Sequence, residues 1–363
     1  MSCVLFNEHL TGDGYKVIEI LLNAEKSLNA LAFDMIKLIQ PALDRYKEDD
    51  SVIAIILDSA GDKAFCAGGD VVSLYHMLQK EQGLKEAVDY FTGEYDLDYT
   101  LHTYPKPIIA WGAGIVMGGG LGLLCGCSHR VVTQSTMIAM PEVTIGLYPD
   151  VGASWFLNRC PGRTGLFLGI TGQRMNGADA KFIGIADRLL DNQQKSAFMT
   201  QLLKVKITDN QSAHRAINGL LKSLENASQA SQQSSPVREH FDLIQQLTDV
   251  DSAAQFVAGL INYETADSWI NKAQKAVGHG SPLSVAMIYR QLQSTQHLSL
   301  KEAFTAELAL TTQCCAIGEI KEGVRALLVD KDGQPNWRYK HIDLVEDSFL
   351  DQMFTEPGTQ RSN

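Results

Sequence analysis

The chain has 363 residues, 45% apolar and 20% charged, which is enough to bury a large core and too apolar for disorder. Its 31 basic and 42 acidic side chains give a formal charge of −11. That excludes a sequence-independent grip on nucleic acid or an anionic membrane, and any phosphate-bearing ligand must be held by local cations or backbone N–H groups. The seven cysteines include the adjacent Cys314 and Cys315 but no C-x-x-C pair, so free thiols in a reducing compartment are expected.

Met1-Ser-Cys-Val-Leu-Phe-Asn-Glu has no basic or long apolar stretch of a targeting peptide, and a cytoplasmic location is expected. Val4–Phe6 and Val17–Leu22, separated by Thr11-Gly-Asp-Gly14, predict a hairpin. From Asn29 to Tyr46 apolar residues at 31, 35, 38, 39, 42, 43 and 46 share one helix face, with a kink expected at Pro41. The β-branched run Val52–Leu57 predicts a strand covered on both faces. The uncharged stretch from Pro107 to Cys127 is long enough for a membrane span, but its seven glycines would weaken such a helix by about 1 kcal/mol each. It predicts instead a buried strand, Ile108–Trp111, a glycine turn and a core helix. A third strand–helix round starts at Arg130–Thr133 and Met137–Met140, so the first two hundred residues read as a parallel α/β core. Beyond them only helices are expected, including one after the capping box Ser299-Leu-Lys-Glu302 and one over Leu283–Leu292.

Three segments carry candidate chemistry. Phe65-Cys-Ala-Gly-Gly-Asp70 is a glycine turn after a strand, able to expose a backbone N–H; read alone it is a tight turn. Met117-Gly-Gly-Gly-Leu121 opens a helix, where free N–H donors suit a developing anion; close backbone packing is the plain alternative. Met140 to Gly152 places Glu142 and Asp150 among apolar residues between Pro141 and Pro149, where a carboxyl pKa rises; surface acids are the alternative. Together these suit a reaction that puts negative charge on a carbonyl oxygen, as acyl-thioester chemistry does. Cys125-Gly-Cys127-Ser-His129 lacks a second ligand pair, so no metal is expected. No G-x-S-x-G is present either.

These motifs resemble, in order and spacing, the crotonase (enoyl-CoA hydratase/isomerase) superfamily: Asn29-Ala-Leu31, Lys63-Ala-Phe-Cys-Ala-Gly-Gly-Asp70, Gly118-Gly-Gly120 and Pro141-Glu142. The resemblance implies an α/β fold, a spiral of ββα units with a helical C-terminal extension. It implies an oxyanion hole of the Gly69 and Gly119 N–H groups, and contact of the Ala67 carbonyl with the CoA adenine. Asn29, Lys63 and Asp70 are carried over as substrate-binding residues; for Lys63 a solvated side chain is the equal alternative.

Hydratases carry a second glutamate in the triple-glycine helix, and here that position is Gly122, which puts hydration in doubt. Glu142 with Asp150, Glu94-Tyr95, and Glu322-Gly-Val-Arg-Ala326 followed by Asp330-Lys-Asp332 look like the 3-hydroxyisobutyryl-CoA hydrolase branch. By that likeness Glu142 is nucleophile or general base, Asp150 orients water or the substrate hydroxyl, and Glu94 binds that hydroxyl. The expected partner is an acyl-CoA substrate, with no cofactor besides the CoA it carries, no nucleic acid and no membrane; relatives that form trimers or hexamers leave a homo-oligomer open. The expected division is a core over 1–205, a helical region over 206–354 that completes or covers the site, and a disordered tail over 355–363. A hydratase or isomerase with unusual acids, and an acyl-CoA binding protein without chemistry, are the rival readings.

Overall fold

The apolar runs of the first half become strands, as their β-branched composition dictates. The computed structural model describes residues 2–206 and 209–355. In chain order the strands are β1 (Val4–Leu10), β2 (Lys16–Leu22), β3 (Val52–Ser59), β4 (Ala64–Cys66), β5 (Ile108–Gly112), β6 (Ile115–Met117), β7 (His129–Thr133), β8 (Met137–Ala139), β9 (Met175–Asn176) and β10 (Arg188–Leu190).

Six of them form one sheet in the order β1-β2-β3-β5-β7-β10, and the other four a second sheet in the order β4-β6-β8-β9. In the larger sheet the expected hairpin β1–β2 is antiparallel, with Val4 opposite Leu22, and the remaining neighbours run parallel. β3 is buried along all but its last residue, which is why it reads as an unbroken apolar run. Ile53, Ala54 and Ile56 pack there with Ile109, Trp111, Phe198, Ile217 and Leu221. The helix Phe33–Glu48 continues through Pro41 and buries Met35, Ile36, Ile39, Leu43 and Tyr46. Among the described residues every regular element after residue 206 is helical, and the box at Ser299–Glu302 caps its helix reciprocally. No described helix is long and apolar enough to cross a membrane.

Two compact units emerge, and they do not follow a single cut near residue 205. One comprises Met1–Gly69, Asp96–Ile138 and Met175–Arg238; the other comprises Asp70–Tyr95, Ala139–Arg174 and Glu239–Asn363. The first holds both sheets. The second is helical, with Phe167 stacked on Trp269 at 5.5 Å and His240 on the same indole at 5.0 Å. The tail expected to be disordered lies, apart from Thr355, outside the described residues.

Candidate active site

In the first unit, two glycine-rich segments meet backbone to backbone. A Cβ on Gly120 would lie 2.2 Å from the Cys66 carbonyl oxygen, and one on Gly68 would lie 3.3 Å from that of Met117. Only glycine permits this approach, and Gly68 (φ +112) and Gly118 (φ +47) also adopt backbone angles that side chains disfavour. Among the described residues neither the Gly69 nor the Gly119 N–H donates a hydrogen bond. Leu31 N–H donates to the Gly68 carbonyl at 2.8 Å, and the Gly69 amide itself stays outside that bridge. Gly119 is the first residue of the buried helix Gly119–Gly126, where an N–H has no intrahelical acceptor. Among the described residues the Ala67 carbonyl likewise accepts no hydrogen bond, while its N–H is tied to Leu28 O at 3.1 Å. Gly122 is buried in the same helix and brings no acid.

The second unit gathers the acids. Glu142 opens the 3-10 turn Glu142–Ile145 after Pro141, Asp150 follows Pro149, and Glu94 comes from the helix Gly83–His102. All three are buried, at 5%, 4% and 2% exposure. Burial holds the carboxyls of Glu94 and Glu142 well above the ordinary range, and the Asp150 charge pushes both further. Asp150 is raised by burial to about 6, held lower than its neighbours by a hydrogen bond from the Tyr95 hydroxyl and its own backbone N–H. That Tyr95 bond measures 2.5 Å, a short O–H···O⁻ contact. Glu142 Oε2 is buried and has no partner among the described residues. An unpartnered buried carboxyl oxygen beside two other acids is primed for an incoming group, because nothing else competes for its lone pairs.

The protons retained by these acids make stability depend on pH. Glu307, described below, is lifted by burial to about 8, and Glu94 and Glu142 lie well above 4.5. Between pH 6.5 and 8 the folded chain keeps protons that the unfolded chain has lost, so stability falls as pH rises, by at most about 1.4 kcal/mol per pH unit for each proton retained. His102 and His129, pushed down to about 4 by burial, act in the opposite sense, and only below about 6.5. Urea unfolding from pH 6.5 to 8 should show a falling midpoint, flattened in Glu307→Gln; a level midpoint would mean the acids ionise normally.

The bend after Asp150 is strained and clamped. Val151 has φ +54, a conformation costing a β-branched residue about 1–3 kcal/mol, and Gly152 follows at φ +84. Glu307, on the helix Leu300–Ile317, offsets that cost by accepting Gly152 N–H at 2.7 Å, Ser154 N–H at 2.9 Å and the Ser154 hydroxyl. The same helix supplies Thr311, whose Oγ1 lies 2.7 Å from Tyr95 Oη and 2.9 Å from Tyr148 Oη. The helix Glu319–Val324 supports the Glu142 turn: a Cβ on Gly323 would come within 2.3 Å of the Ile145 carbonyl carbon. Arg325 next gathers Glu322 at 2.8 Å, Asp330 at 2.7 Å and Asp332 at 2.6 Å, so the acidic residues of that motif are spent on one guanidinium.

Other residues carried over from the resemblance have structural tasks. Asn29 is buried with φ +55; its side chain accepts Ala24 N–H at 2.9 Å and donates to the Ala60 and Ala64 carbonyls at 3.0 and 2.9 Å, which spends both of its N–H donors. Asp70 caps the helix Val71–Met77, accepting Ser73 N–H at 3.0 Å and the Ser73 hydroxyl at 2.6 Å. Both side chains hold the loop. Lys63 is exposed, and its carbonyl receives Ile115 N–H at 3.0 Å. Sequence reasoning gave no role to Tyr95, Tyr148, Glu307 or Thr311. Glu307 did leave a signal, an acid on the face of 303, 304, 307, 310, 311 and 314, all otherwise apolar, threonine or cysteine and all buried.

The first unit thus carries two amides after glycine turns on an α/β scaffold, and the second a buried cluster of acids. The chain belongs to the enoyl-CoA hydratase/isomerase family, whose model matches residues 17–354. It is 36% identical over 340 residues, 93% of this chain and 86% of the relative, to a protein named "3-hydroxyisobutyryl-CoA hydrolase, mitochondrial" from Xenopus tropicalis. Among solved structures it resembles an enoyl-CoA hydratase from Rhodobacter sphaeroides (29% identity, TM-score 0.84, 98% of each chain). A carnitinyl-CoA dehydratase from Mycobacterium thermoresistibile is similar to the same extent (29% identity, TM-score 0.85, 99% of this chain and 98% of that one). The expected cytoplasmic location does not stand, because relatives at this level are named as mitochondrial enzymes.

Proposed function

We propose that the chain hydrolyses the thioester of a short branched β-hydroxyacyl-CoA, 3-hydroxyisobutyryl-CoA giving 3-hydroxyisobutyrate and free CoA, a step of valine breakdown. The observation that carries the reading is Glu142 Oε2, buried, without a partner and in the same cluster as Asp150 and Glu94. The name of the Xenopus relative supports it. In this reading the thioester oxygen goes to the Gly69 and Gly119 amides, each such donor being worth about 2.7–4 kcal/mol to the transition state. Glu142 reacts in its ionised form: it attacks the carbonyl carbon, the C–S bond breaks as the CoA sulfur takes the proton that Glu142 gave up, and water opens the mixed anhydride to return the carboxylate. Alternatively Glu142 takes the proton of a water that attacks directly. Asp150 orients that water or the substrate hydroxyl, which Glu94 also receives. The acyl-CoA is the only partner invoked.

The two solved relatives titled hydratase and dehydratase favour a second reading, addition or removal of water at a C=C bond. Gly122 argues against it, since hydration draws on an acid at that place in the helix and the position has no side chain. One assay separates them. With 3-hydroxyisobutyryl-, 3-hydroxypropionyl- and crotonyl-CoA, a thiol reagent should report CoA release from the hydroxyacyl thioesters, while the enoyl absorbance of crotonyl-CoA stays constant. Loss of that absorbance without thiol release would establish the hydratase instead. A single turnover in ¹⁸O water should leave label in the Glu142 carboxylate only along the anhydride route.

A further inference from the structure

The carboxylate of Asp150 is held by a tyrosine to which the proposed chemistry gives no role. Tyr95 is 3% exposed and its hydroxyl donates to Asp150 Oδ2 at 2.5 Å. The tyrosine is in turn seated from a helix more than two hundred residues away, by Thr311 Oγ1 at 2.7 Å. Hydrogen counting fixes the direction of this chain. Tyr148 donates its one hydrogen to the Glu307 carbonyl at 2.7 Å, and Tyr95 spends its own on Asp150. Thr311 is therefore the donor that closes on one tyrosine oxygen or the other. Ring contacts lock the orientation, with Phe91 and Phe304 at 5.9 and 6.0 Å from the Tyr95 ring. The backbone of the Asp150 bend is fixed separately by Glu307, so what the hydroxyl adds is the orientation and charge of the side chain itself.

We propose that Tyr95, seated on Thr311, is a positioning residue that holds the Asp150 carboxylate in one orientation for the thioester reaction. The inference rests on the hydrolase reading. It goes beyond that reading in giving Asp150 a dedicated donor. The titratable groups around Asp150 are Glu94 and Tyr95 on one helix, Glu142 and Tyr148 on the acid-bearing loop, and Glu307, Cys314 and Cys315 on the helix Leu300–Ile317. None of them is cationic. The Tyr95 hydroxyl is consequently the strongest neutral donor available to keep Asp150 ionised among its acidic neighbours.

The test combines a spectroscopic titration with kinetics on the whole chain. Aspartate carboxyl ¹³C resonances are followed with pH, the Asp150 signal being assigned by its loss in Asp150→Asn. In Tyr95→Phe its midpoint should rise by about one pH unit, because the ionised form has lost its donor. Thr311→Val, which leaves the Tyr95–Asp150 bond intact, should shift it less, in the same direction. At pH 7 kcat/KM for the β-hydroxyacyl thioester should fall about tenfold in Tyr95→Phe with folding retained by circular dichroism. A merely structural tyrosine would leave the Asp150 midpoint unmoved, and that result overturns the proposal whatever the rates. A raised midpoint with an unchanged rate overturns it as well, since the orientation then serves nothing in the reaction. If the unaltered chain releases no CoA, the hydrolase reading fails by itself, and the ¹³C midpoint still decides whether Tyr95 holds Asp150.

Discussion

Glu142→Gln should lose CoA release by at least about 10²–10⁴-fold, the range of a lost general base, and by more if the carboxylate is the nucleophile. The loss should fall on kcat, because glutamine keeps the shape of the side chain and leaves the thioester's other contacts in place. Folding should not suffer. Glu142 is a buried carboxyl whose ionised form is disfavoured, with one oxygen unpartnered, so a neutral amide removes a destabilising element instead of a support. The expected signature is thus a nearly inert enzyme whose urea midpoint at pH 8 equals or exceeds that of the unaltered chain, a trade typical of sites built at the expense of stability. Retention of near-full activity would remove Glu142 from both versions of the mechanism.

Gly120→Ala is the second large effect, and it acts on the amides. The added Cβ would meet the Cys66 carbonyl oxygen at 2.2 Å and the Cys66 Cβ at 2.8 Å, neither of which can swing aside as a flexible side-chain end could. The helix start and the glycine loop must separate, at a cost of about 1–3 kcal/mol or more. In a chain of this size that lowers Tm by several degrees. The displaced elements carry the Gly69 and Gly119 N–H groups, so thioester hydrolysis should fall further than stability alone explains. Gly219→Ala provides the control. Gly219 is exposed in the helix Asn210–Asn226, and a Cβ there meets nothing within 4 Å. That substitution should raise stability by up to about 1 kcal/mol and leave turnover unchanged. Equal behaviour of the two variants in thermal unfolding would show that the close approach of Cys66 and Gly120 does not hold.

The elements legible in the sequence were those with a local cause. Val52–Leu57, Ile108–Trp111 and the Ser299–Glu302 cap declare themselves through β-branching, burial and side-chain capping, and they form where expected. Pro41 lies inside a helix that spans Phe33–Glu48 unbroken, because one missing N–H is a local loss within a face that stays buried. Glu142 and Asp150 were legible as acids in apolar surroundings. Their supports were not. The Tyr95–Asp150 bond spans 55 residues and the Tyr95–Thr311 bond 216, distances over which no periodicity carries information. Asn29 and Asp70 show the opposite limit: a polar side chain in a family motif reads as a ligand contact, and its tie to a turn or a helix cap appears only when its hydrogen bonds are counted.

The reliance of the Asp150 bend on Glu307 has a consequence for the order in which the protein is made. On the ribosome Glu142 and Asp150 emerge more than 150 residues ahead of the carboxylate that fastens Gly152 and Ser154. Until that helix docks, the bend around Val151 keeps its local Ala153 N–H bond to the Asp150 carbonyl at 2.8 Å but lacks the carboxylate clamp. The strained bend is therefore fully fastened only late, when the helix that bears Glu307 and Thr311 closes over sequence synthesised long before.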